Sequence, residues 1–285
     1  MLIEMININS LLNDGQKILS NSSIKTSMLD AEILLCCALK RSLKEVVIDR
    51  NIKIKKNKIN IYKDLIRRRK LGEPVAYIVK NKEFWKHSFY VDKNVLIPRP
   101  DSEIIIQEAL KVIDTKNKGF ILDIGTGSGC LVISLAKERP NFFYSAIDIS
   151  KKAIKVAKIN AKMHQLENRI KFYQSCVDNF FKGKYDLIIS NPPYINKLKL
   201  KYLDKDIFGF EPLIALEGGL DGSSILNKVI KKSSSLLKVG GKLILEIGFD
   251  QKLKTMKFLK NEGFYVNKVV KDYGNNDRCI VSTKI

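Results

Sequence analysis

The chain has 285 residues, of which 45% are hydrophobic and 28% are charged, and 51 Lys and Arg against 30 Asp and Glu give a net charge of +21. This composition excludes a collagen-like chain, a disordered tail and a small disulfide-stapled domain, and a chain of this length can bury roughly 75% of its unfolded surface. The positive excess is mostly Lys spread along the whole chain, which favours ordinary solvated surface over a dedicated nucleic-acid site.

Cysteine and histidine usage argues against disulfide and metal chemistry. The five cysteines include no C-x-x-C spacing, and the two histidines, His87 and His164, are far apart in sequence. The first residues lack a basic region ahead of the apolar run, and no stretch reaches the roughly 18 apolar residues of a membrane span. We therefore expect a cytoplasmic protein with reduced thiols and no bound metal, and a monomer by default.

Residues 1–72 are predicted to form a small helical domain. The apolar positions at helical spacing are Leu29, Ile33, Leu34, Cys37 and Ala38 in one segment, and Ile59, Tyr62, Leu65 and Ile66 in another. The basic cluster Arg67–Lys70 could contact RNA, a ribosome or an acidic protein, although a solvated helix face is the simpler explanation. The turn residues Gly72-Glu73-Pro74 end this domain.

Residues 73–100 are predicted to form a β-hairpin linker. The segment is rich in aromatic and β-branched residues, and Asp92-Lys93-Asn94 supplies a turn. The two prolines that close the segment disfavour a helix and stiffen the chain. Asp101 or Ser102 is then in position to cap a helix over residues 103–113.

Residues 101–285 alternate between strand and helix patterns. The predicted strands are 119–124, 142–147, 169–174, 185–190, 241–247, 264–271 and 278–284, and the predicted helices after residue 119 are 129–138, 150–165, 223–238 and 250–262. Such alternation predicts an α/β fold with a parallel sheet and helices on both faces. The last two strands are joined by a short polar loop without a helix, so we expect them to pair antiparallel.

The first functional motif is the glycine loop Gly125-Thr126-Gly127-Ser128-Gly129, which follows a buried strand and opens a helix. Ligands bind at this end of the first strand in open α/β sheets, and glycines let a ligand approach the backbone. Asp148 ends the next strand, where a carboxylate can accept hydrogen bonds from a ribose. A plain turn explains the loop alone and a helix cap explains Asp148 alone, but together they favour a nucleoside-bearing cofactor.

The second motif is Asn191-Pro192-Pro193-Tyr194, at the end of the fourth predicted strand. Consecutive prolines lack N–H donors and fix their φ angles, which can leave the Pro192 carbonyl free as an acceptor. With the Asn191 amide and the flat ring of Tyr194, the loop suits a planar –NH2 group. A structural proline turn would explain the prolines but not the residues on either side of them.

These motifs resemble the S-adenosylmethionine-dependent methyltransferases of the seven-stranded Rossmann-like type, and the second is similar to the subset that methylates planar nitrogens. Further segments resemble the bacterial peptide chain release factor glutamine N5-methyltransferases, namely Gly72–Tyr77, Phe84-Trp85, Leu96–Glu103, Glu211–Leu216, Gly218–Gly222 and Gly240–Gly248. The resemblance runs from about residue 70 to the end and is weaker, but compatible, in the helical part. Lys80 departs from the family, which often has a glycine there.

The resemblance implies that S-adenosylmethionine is bound by the glycine loop Gly125–Gly129, by Asp148 and by Asn191. It implies that the substrate is the glutamine of the Gly-Gly-Gln loop in class I release factors, bound by Asn191–Tyr194. Within that loop, Asn191, Pro192 and Tyr194 would be the catalytic residues, and the domain 1–72 would help to grip the protein substrate. No metal or nucleic acid is required.

Two other functions remain open from the sequence. The same loop could hold a flipped base in a DNA or RNA amino-group methyltransferase, and the net charge would help to bind phosphates. Alternatively, the α/β domain could be a degenerate binding module that serves only in assembly. The intact glycine loop, Asp148 and Asn191–Tyr194 argue against this second alternative.

Overall fold

The computed structural model describes residues 6–114 and 118–285, which form eleven helices and nine strands. The helices are α1 (Ile8–Ser20), α2 (Ser27–Leu39), α3 (Leu43–Ile48), α4 (Lys56–Lys70), α5 (Val75–Val79), α6 (Glu103–Val112), α7 (Cys130–Glu138), α8 (Lys151–Met163), α9 (Lys205–Phe208), α10 (Ser224–Leu236) and α11 (Lys252–Asn261). The strands are β1 (Lys82–Phe84), β2 (His87–Phe89), β3 (Phe120–Ile124), β4 (Phe143–Asp148), β5 (Ile170–Gln174), β6 (Tyr185–Ser190), β7 (Leu237–Glu246), β8 (Phe264–Lys271) and β9 (Asp277–Lys284).

The chain folds as two units. The first takes the described part of Met1–Lys80 together with Asp204–Phe210, and the second takes Asn81–Leu203 and Glu211–Ile285 as far as they are described. The division of the sequence at residues 72 and 100 stays a prediction. Residues 1–5 lie outside the described residues. They belong to the N-terminal segment in which the sequence predicts no signal peptide. None of the described helices combines the length and the apolar content that a membrane crossing requires.

The first unit is helical, and its core contains the apolar stripe that was predicted for α4. The stripe predicted for α2 is wrong in part, since Leu29 is 51% exposed and Cys37 is also exposed. The buried face of α2 is shifted around the helix and includes Asp30. Apolar periodicity alone does not predict this face, because Asp30, one of its buried positions, carries a charge.

The Asp30 carboxylate lies 2.7 Å from Nε of Arg69 on α4, and both side chains are at least nine-tenths buried. The two arginines that precede Arg69 are also paired, Arg67 with Asp64 and Arg68 with Glu73. The basic cluster predicted at the end of α4 is therefore neither a free cationic surface nor only a solvated face. Each of its three arginines faces at least one carboxylate, and Arg69 also lies 3.9 Å from Asp206.

The predicted β-hairpin exists and so does the predicted turn at Asp92-Lys93-Asn94, but that turn does not join the two hairpin strands. Strands β1 and β2 pair antiparallel, and they turn at Trp85 and not at Asp92-Lys93-Asn94. Trp85 takes a left-handed conformation, with φ of 56°. Its backbone N–H donates to Glu103 at 2.6 Å and its indole N–H donates to Glu138 at 2.9 Å, and these bonds hold the turn. Asp92 instead caps a separate turn by accepting from the backbone N–H of Asn94.

Lys80, at the end of α5, also takes a left-handed conformation, with φ of 56°. Glycine adopts this conformation without the steric cost that other residues bear. The glycine often found at this position in the resembled family is explained by this backbone geometry.

Within residues 118–285, seven strands form one sheet in the order β5-β4-β3-β6-β7-β9-β8. The first five of these pair parallel, and β9 pairs antiparallel with both β7 and β8. The predicted α/β sheet and its antiparallel last pair are confirmed. Leu187 and Ile189 of β6 belong to one buried cluster and Ile188 to another. Since successive strand residues point to opposite faces, the sheet is covered by apolar side chains on both sides.

We expect Asp30→Ala to lower the free energy of unfolding by roughly 3 kcal/mol, because it removes the close carboxylate of the buried Arg69 guanidinium and leaves only the looser pair with Asp206 at 3.9 Å. Asp64→Ala is the matched control. It removes a partner of the neighbouring arginine in a pair that is more than half exposed, and it should cost only about 0–1 kcal/mol. Urea denaturation followed by circular dichroism measures both values. Equal effects of the two substitutions would contradict the assignment.

Candidate active site

The sheet register brings the predicted site residues to one edge. Four residues of adjacent strands are paired in a row, namely Ile147, Ile124, Ser190 and Leu245. The next residue along the chain is Asp148 in β4, Gly125 after β3, Asn191 after β6 and Glu246 in β7. Because these strands are parallel, their carboxyl ends lie at the same edge of the sheet. Three separate sequence motifs therefore meet there, together with a glutamate that the sequence analysis did not single out.

A cavity of about 260 Å³ opens at this edge. Its lining includes Gly125–Ser128, Asp148 and Asn191–Pro193, as predicted, and also Leu96, Pro98 and Arg99 of the family-like segment before α6. Gly129 and Tyr194 are not among the lining residues. The cavity thus joins the predicted cofactor loop to the predicted substrate loop.

The first two glycines of the loop leave space for a ligand. Gly125 and Gly127 have φ of 76° and 55°, and a Cβ built on either one would meet no atom within 4 Å. Gly129 has a different task, since a Cβ there would lie 3.0 Å from Ile133 and 3.3 Å from Ala157. Its lack of a side chain allows α7 and α8 to pack closely. The structure gives it this packing role, and a cofactor contact of Gly129 stays a prediction.

Asp148 is bound to the loop that precedes it. One carboxylate oxygen accepts the backbone N–H of Gly127 at 2.9 Å, and the other accepts that of Ser150 at 2.8 Å. Burial raises the pKa of this carboxyl above its usual range. A carboxylate offers about four acceptor sites, so two remain for hydroxyl groups of a ligand. Asp148 therefore both shapes the glycine loop and keeps the capacity to bind a ribose.

Asp123 is a second carboxyl beside the loop, and the sequence analysis did not identify it as a site residue. It is fully buried and accepts a hydrogen bond from the Thr126 hydroxyl at 2.7 Å. Burial raises its pKa to about 7, and the charge of Asp148 acts in the same direction. The sequence did carry a sign of it, an acid in the apolar strand β3.

Within the described residues, no group of three or more His, Cys, Asp or Glu side chains is placed to hold a metal ion.

The Asn191 amide is oriented by a serine. Its Nδ2 donates to the Ser102 hydroxyl at 2.9 Å, which turns Oδ1 elsewhere. Within residues 6–114 and 118–285, nothing donates a hydrogen bond to Oδ1 of Asn191 or to the Pro192 carbonyl. Ser102 occupies the N-cap position of α6, as one of the two predicted alternatives, but its hydroxyl donates to Glu246 and makes no capping bond to α6. Asp101, the other alternative, lies before the cap position.

Tyr194 is held by its hydroxyl, which donates to Glu246 at 3.2 Å and lies 3.5 Å from a guanidinium nitrogen of Arg278. Burial and the nearby glutamate raise the pKa of this phenol well above its usual range, so it stays protonated. The stacking of its ring on a substrate amide stays a prediction. What the structure assigns to Tyr194 is an anchor at the end of the Asn191–Tyr194 loop.

The glycine-rich segment Gly218–Gly222 supports the backbone of that loop. A Cβ at Gly218 would lie 2.8 Å from the Pro193 carbonyl oxygen, and one at Gly222 would lie 2.5 Å from that of Tyr194. Gln251 fixes the same contact, since its Nε2 donates to the carbonyls of Tyr194 and Gly222 at 3.1 and 2.8 Å. Any side chain at either glycine would push the loop out of place.

Glu211 supports the opposite wall. Its carboxylate accepts from the backbone N–H of Ile97 at 3.1 Å and from the guanidinium of Arg99, and the side chain is almost fully buried. This contact joins the Leu96–Glu103 and Glu211–Leu216 segments, which lie over a hundred residues apart and which the sequence analysis could not connect. It fixes the part of the chain whose Leu96, Pro98 and Arg99 line the cavity.

Comparison with known proteins gives two family matches and several close relatives. The Methyltransferase small domain family matches residues 104–207, and the PrmC N-terminal domain family matches residues 10–79. The chain is 38% identical to the release factor glutamine methyltransferase of Buchnera aphidicola subsp. Acyrthosiphon pisum, over 92% of this chain and 94% of that relative. It is 35% identical to the protein of that name from Clostridium acetobutylicum, over 97% and 98%.

Among solved structures, a methyltransferase from Pyrococcus furiosus is similar with a TM-score of 0.52 and 19% identity. The match covers 69% of this chain and 88% of that chain. At this identity the likeness shows the fold alone.

Replacing Asp123 with Asn should change how stability depends on pH. Burial raises the pKa of Asp123 from 3.8 to about 7, so between these values the folded protein keeps a proton that the unfolded chain has lost. Relative to the Asp123→Asn variant, the unfolding free energy of the unmodified protein should fall as the pH rises from about 4 to about 7, by up to about 4 kcal/mol. Urea denaturation at several pH values measures this difference, and a difference that is constant with pH would argue against it.

Proposed function

The chain belongs to the family of release factor glutamine methyltransferases, and on this premise we propose that it transfers a methyl group from S-adenosylmethionine to the side-chain amide nitrogen (N5) of a glutamine. The substrate is the glutamine of the Gly-Gly-Gln motif in class I peptide chain release factors. The single observation that carries the proposal is the orientation of Asn191: its Nδ2 is bound to Ser102, no described residue donates to its Oδ1 or to the Pro192 carbonyl, and both residues line the cavity.

The residues present fit the cofactor. Space is open over Gly125 and Gly127, and the buried carboxyl of Asp123 and the half-buried carboxyl of Asp148 lie beside it. Both suit a ligand that carries positive charge, since a nearby cation favours the ionised form of a carboxyl. Asp148 would hold the ribose hydroxyls. When bound, S-adenosylmethionine supplies an electrophilic methyl group on a positively charged sulfur.

The substrate amide would be held by its two hydrogens. An amide nitrogen is a weak nucleophile because its lone pair is delocalised into the carbonyl. Asn191 Oδ1 and the Pro192 carbonyl accept the two N–H groups, which fixes the plane of the –NH2 and favours partial loss of its planarity. Pro193 keeps the two acceptors in a fixed relation, because its ring restricts the backbone.

No strong base has to remove a proton before transfer, because the methylated nitrogen is strongly acidic and gives its surplus proton to water afterwards. Among the described residues that line the cavity, the Cys130 thiol has its pKa raised by burial to about 12, so it stays protonated. The carboxylate of Asp148 is occupied by the glycine loop and the cofactor. The rate then comes from placing the nitrogen against the methyl group and from the fixed acceptors that hold it there.

The proposal extends to partners and location. The release factor is the only macromolecule that the reaction needs, the enzyme acts as a monomer in the cytoplasm, and nucleic acid is not required. The domain 1–72 would grip the release factor, which the match of residues 10–79 to the PrmC N-terminal domain family supports. A nucleic-acid surface at the basic cluster Arg67–Lys70 is disfavoured, since Arg67, Arg68 and Arg69 are each ion-paired.

Asn191→Ala should lower methyl transfer by about 100-fold or more, because one of the two acceptors that hold the amide is lost. The dissociation constant of S-adenosylmethionine, measured by calorimetry, should change little. Transfer of radiolabelled methyl is measured on purified class I release factor, on DNA and on RNA. A variant with near-normal turnover would remove Asn191 from the chemistry, and transfer to nucleic acid but not to release factor would overturn the proposed substrate.

Asp148→Ala should weaken cofactor binding by about 10- to 100-fold, in line with the loss of a hydrogen bond to a charged group. Asp64→Ala, which changes an exposed carboxylate of the first unit, serves as the control and should bind normally. Calorimetric titration with S-adenosylmethionine gives both values. Unchanged affinity of the Asp148 variant would remove it from the cofactor site.

A further inference from the structure

We propose that Glu246, acting through Ser102, fixes which end of the Asn191 amide faces the substrate. This inference rests on the proposed function, in which Asn191 receives a planar –NH2 group. It assigns a positioning role to two residues in the Leu96–Glu103 and Gly240–Gly248 segments, which the sequence analysis singled out without giving them a task. We call the three residues the Glu246–Ser102–Asn191 relay.

The relay is a continuous chain of two hydrogen bonds. The Ser102 hydroxyl donates to Oε2 of Glu246 at 2.5 Å, and Nδ2 of Asn191 donates to the Ser102 oxygen at 2.9 Å. Glu246 is 2% exposed and Ser102 is 3% exposed, so water does not compete for either group. Glu246 closes the row of strand ends described above, one strand away from the loop that holds Asn191.

The direction of these bonds follows from the chemistry of the carboxylate. An ionised carboxylate accepts hydrogen bonds and donates none. In the structure the hydroxyl hydrogen of Ser102 points to Glu246, and when Glu246 is ionised the Ser102 oxygen is left only to accept. The one part of the Asn191 amide that can satisfy it is the –NH2 group. Oδ1 of Asn191 is consequently the end that remains for the substrate.

The donors around Glu246 favour its ionised, accepting state, whereas its burial opposes that state. Its second oxygen accepts the Tyr194 hydroxyl, so both oxygens face donors. Burial raises the pKa of Glu246 to about 7, whereas the Arg278 guanidinium and the two donors lower it. The same carboxylate thus anchors the far end of the Asn191–Tyr194 loop while it sets the polarity of the near end.

The opposite polarity would defeat the reaction. If the group at position 246 donated to Ser102, the hydroxyl hydrogen would be free to point at Asn191, and the amide would turn by half a rotation to accept it. Nδ2 would then face the substrate, and two –NH2 groups would oppose each other. An asparagine in this site is useful only when its oxygen is outward, and its own side chain has no preference between the two orientations.

Three variants test the relay in the full-length protein. Ser102→Ala removes the hydroxyl, Glu246→Gln replaces an obligate acceptor with a group that can also donate, and Ser102→Thr keeps the hydroxyl. We expect the first two to lower kcat at least about tenfold, which corresponds to the loss of one oriented hydrogen bond. The dissociation constant of S-adenosylmethionine should stay within about twofold of its value for the unmodified protein. Ser102→Thr should keep most of the activity.

Two matched controls separate positioning from general damage to the fold. Ser282→Ala removes a hydroxyl that is also fully buried in the sheet and that donates only to a backbone carbonyl. Glu108→Gln changes a glutamate that is 2% exposed and paired with Lys111. Neither residue touches the relay, and both variants should keep near-normal kcat. Activity that falls equally in the controls would overturn the assignment.

A double-mutant cycle shows whether Ser102 acts through Asn191. When Asn191→Ala is already present, adding Ser102→Ala should cost no more than about twofold, because the group that Ser102 orients is gone. A loss as large as that in the unmodified background would overturn the relay, as would full activity of Ser102→Ala alone.

The cycle also separates this inference from the proposed function. It is run on whichever acceptor the unmodified enzyme methylates, whether release factor, DNA or RNA, because the argument holds for any planar –NH2 group. Failure to methylate release factor overturns the proposed substrate, and additive effects overturn the relay.

Discussion

The alignment of four strand ends is the constraint on which the rest of this structure depends. β4, β3, β6 and β7 are paired so that the residues after Ile147, Ile124, Ser190 and Leu245 stand side by side. A slip of one residue in any pairing would turn the side chains of that strand to the other face of the sheet. Buried apolar clusters on both faces oppose such a slip. The hydrophobic core therefore sets the geometry of the polar site, although it contributes no reacting group.

Around this row, the backbone does most of the shaping. The glycine loop is tied back to Asp148 by the Gly127 N–H, and the Asn191–Tyr194 loop is held by Gly218–Gly222 and Gln251. The prolines of the Asn191–Tyr194 loop have no N–H group, so they cannot donate hydrogen bonds to carbonyls within the loop. Rigid backbone suits a reaction whose acceleration comes from placing two groups, because little motion then has to be suppressed when the substrate enters.

The sequence predicted the sheet, its antiparallel last pair and the residues of both loops, because each depends on local pattern or local chemistry. It did not predict Glu246, Ser102 or Asp123 as site residues. The partner of Ser102 lies 144 residues away, and no periodicity in a single sequence connects the two. The buried face of α2 and the hairpin turn at Trp85 were not predicted for the same reason. Asp30 of α2 is buried in an ion pair with the distant Arg69, and Trp85 is held by the carboxylates of Glu103 and Glu138, which are also distant in sequence.

The pairing of the arginines at the end of α4 has a kinetic consequence. With Arg67, Arg68 and Arg69 each facing a carboxylate, the net charge of +21 is carried chiefly by separate lysines. Hydrated ammonium groups on flexible stems give a diffuse field that is screened within roughly 8 Å at physiological ionic strength. Such a field hastens encounters with acidic macromolecules without forming the planar, two-pronged grips that arginine makes, so departure after each encounter stays rapid.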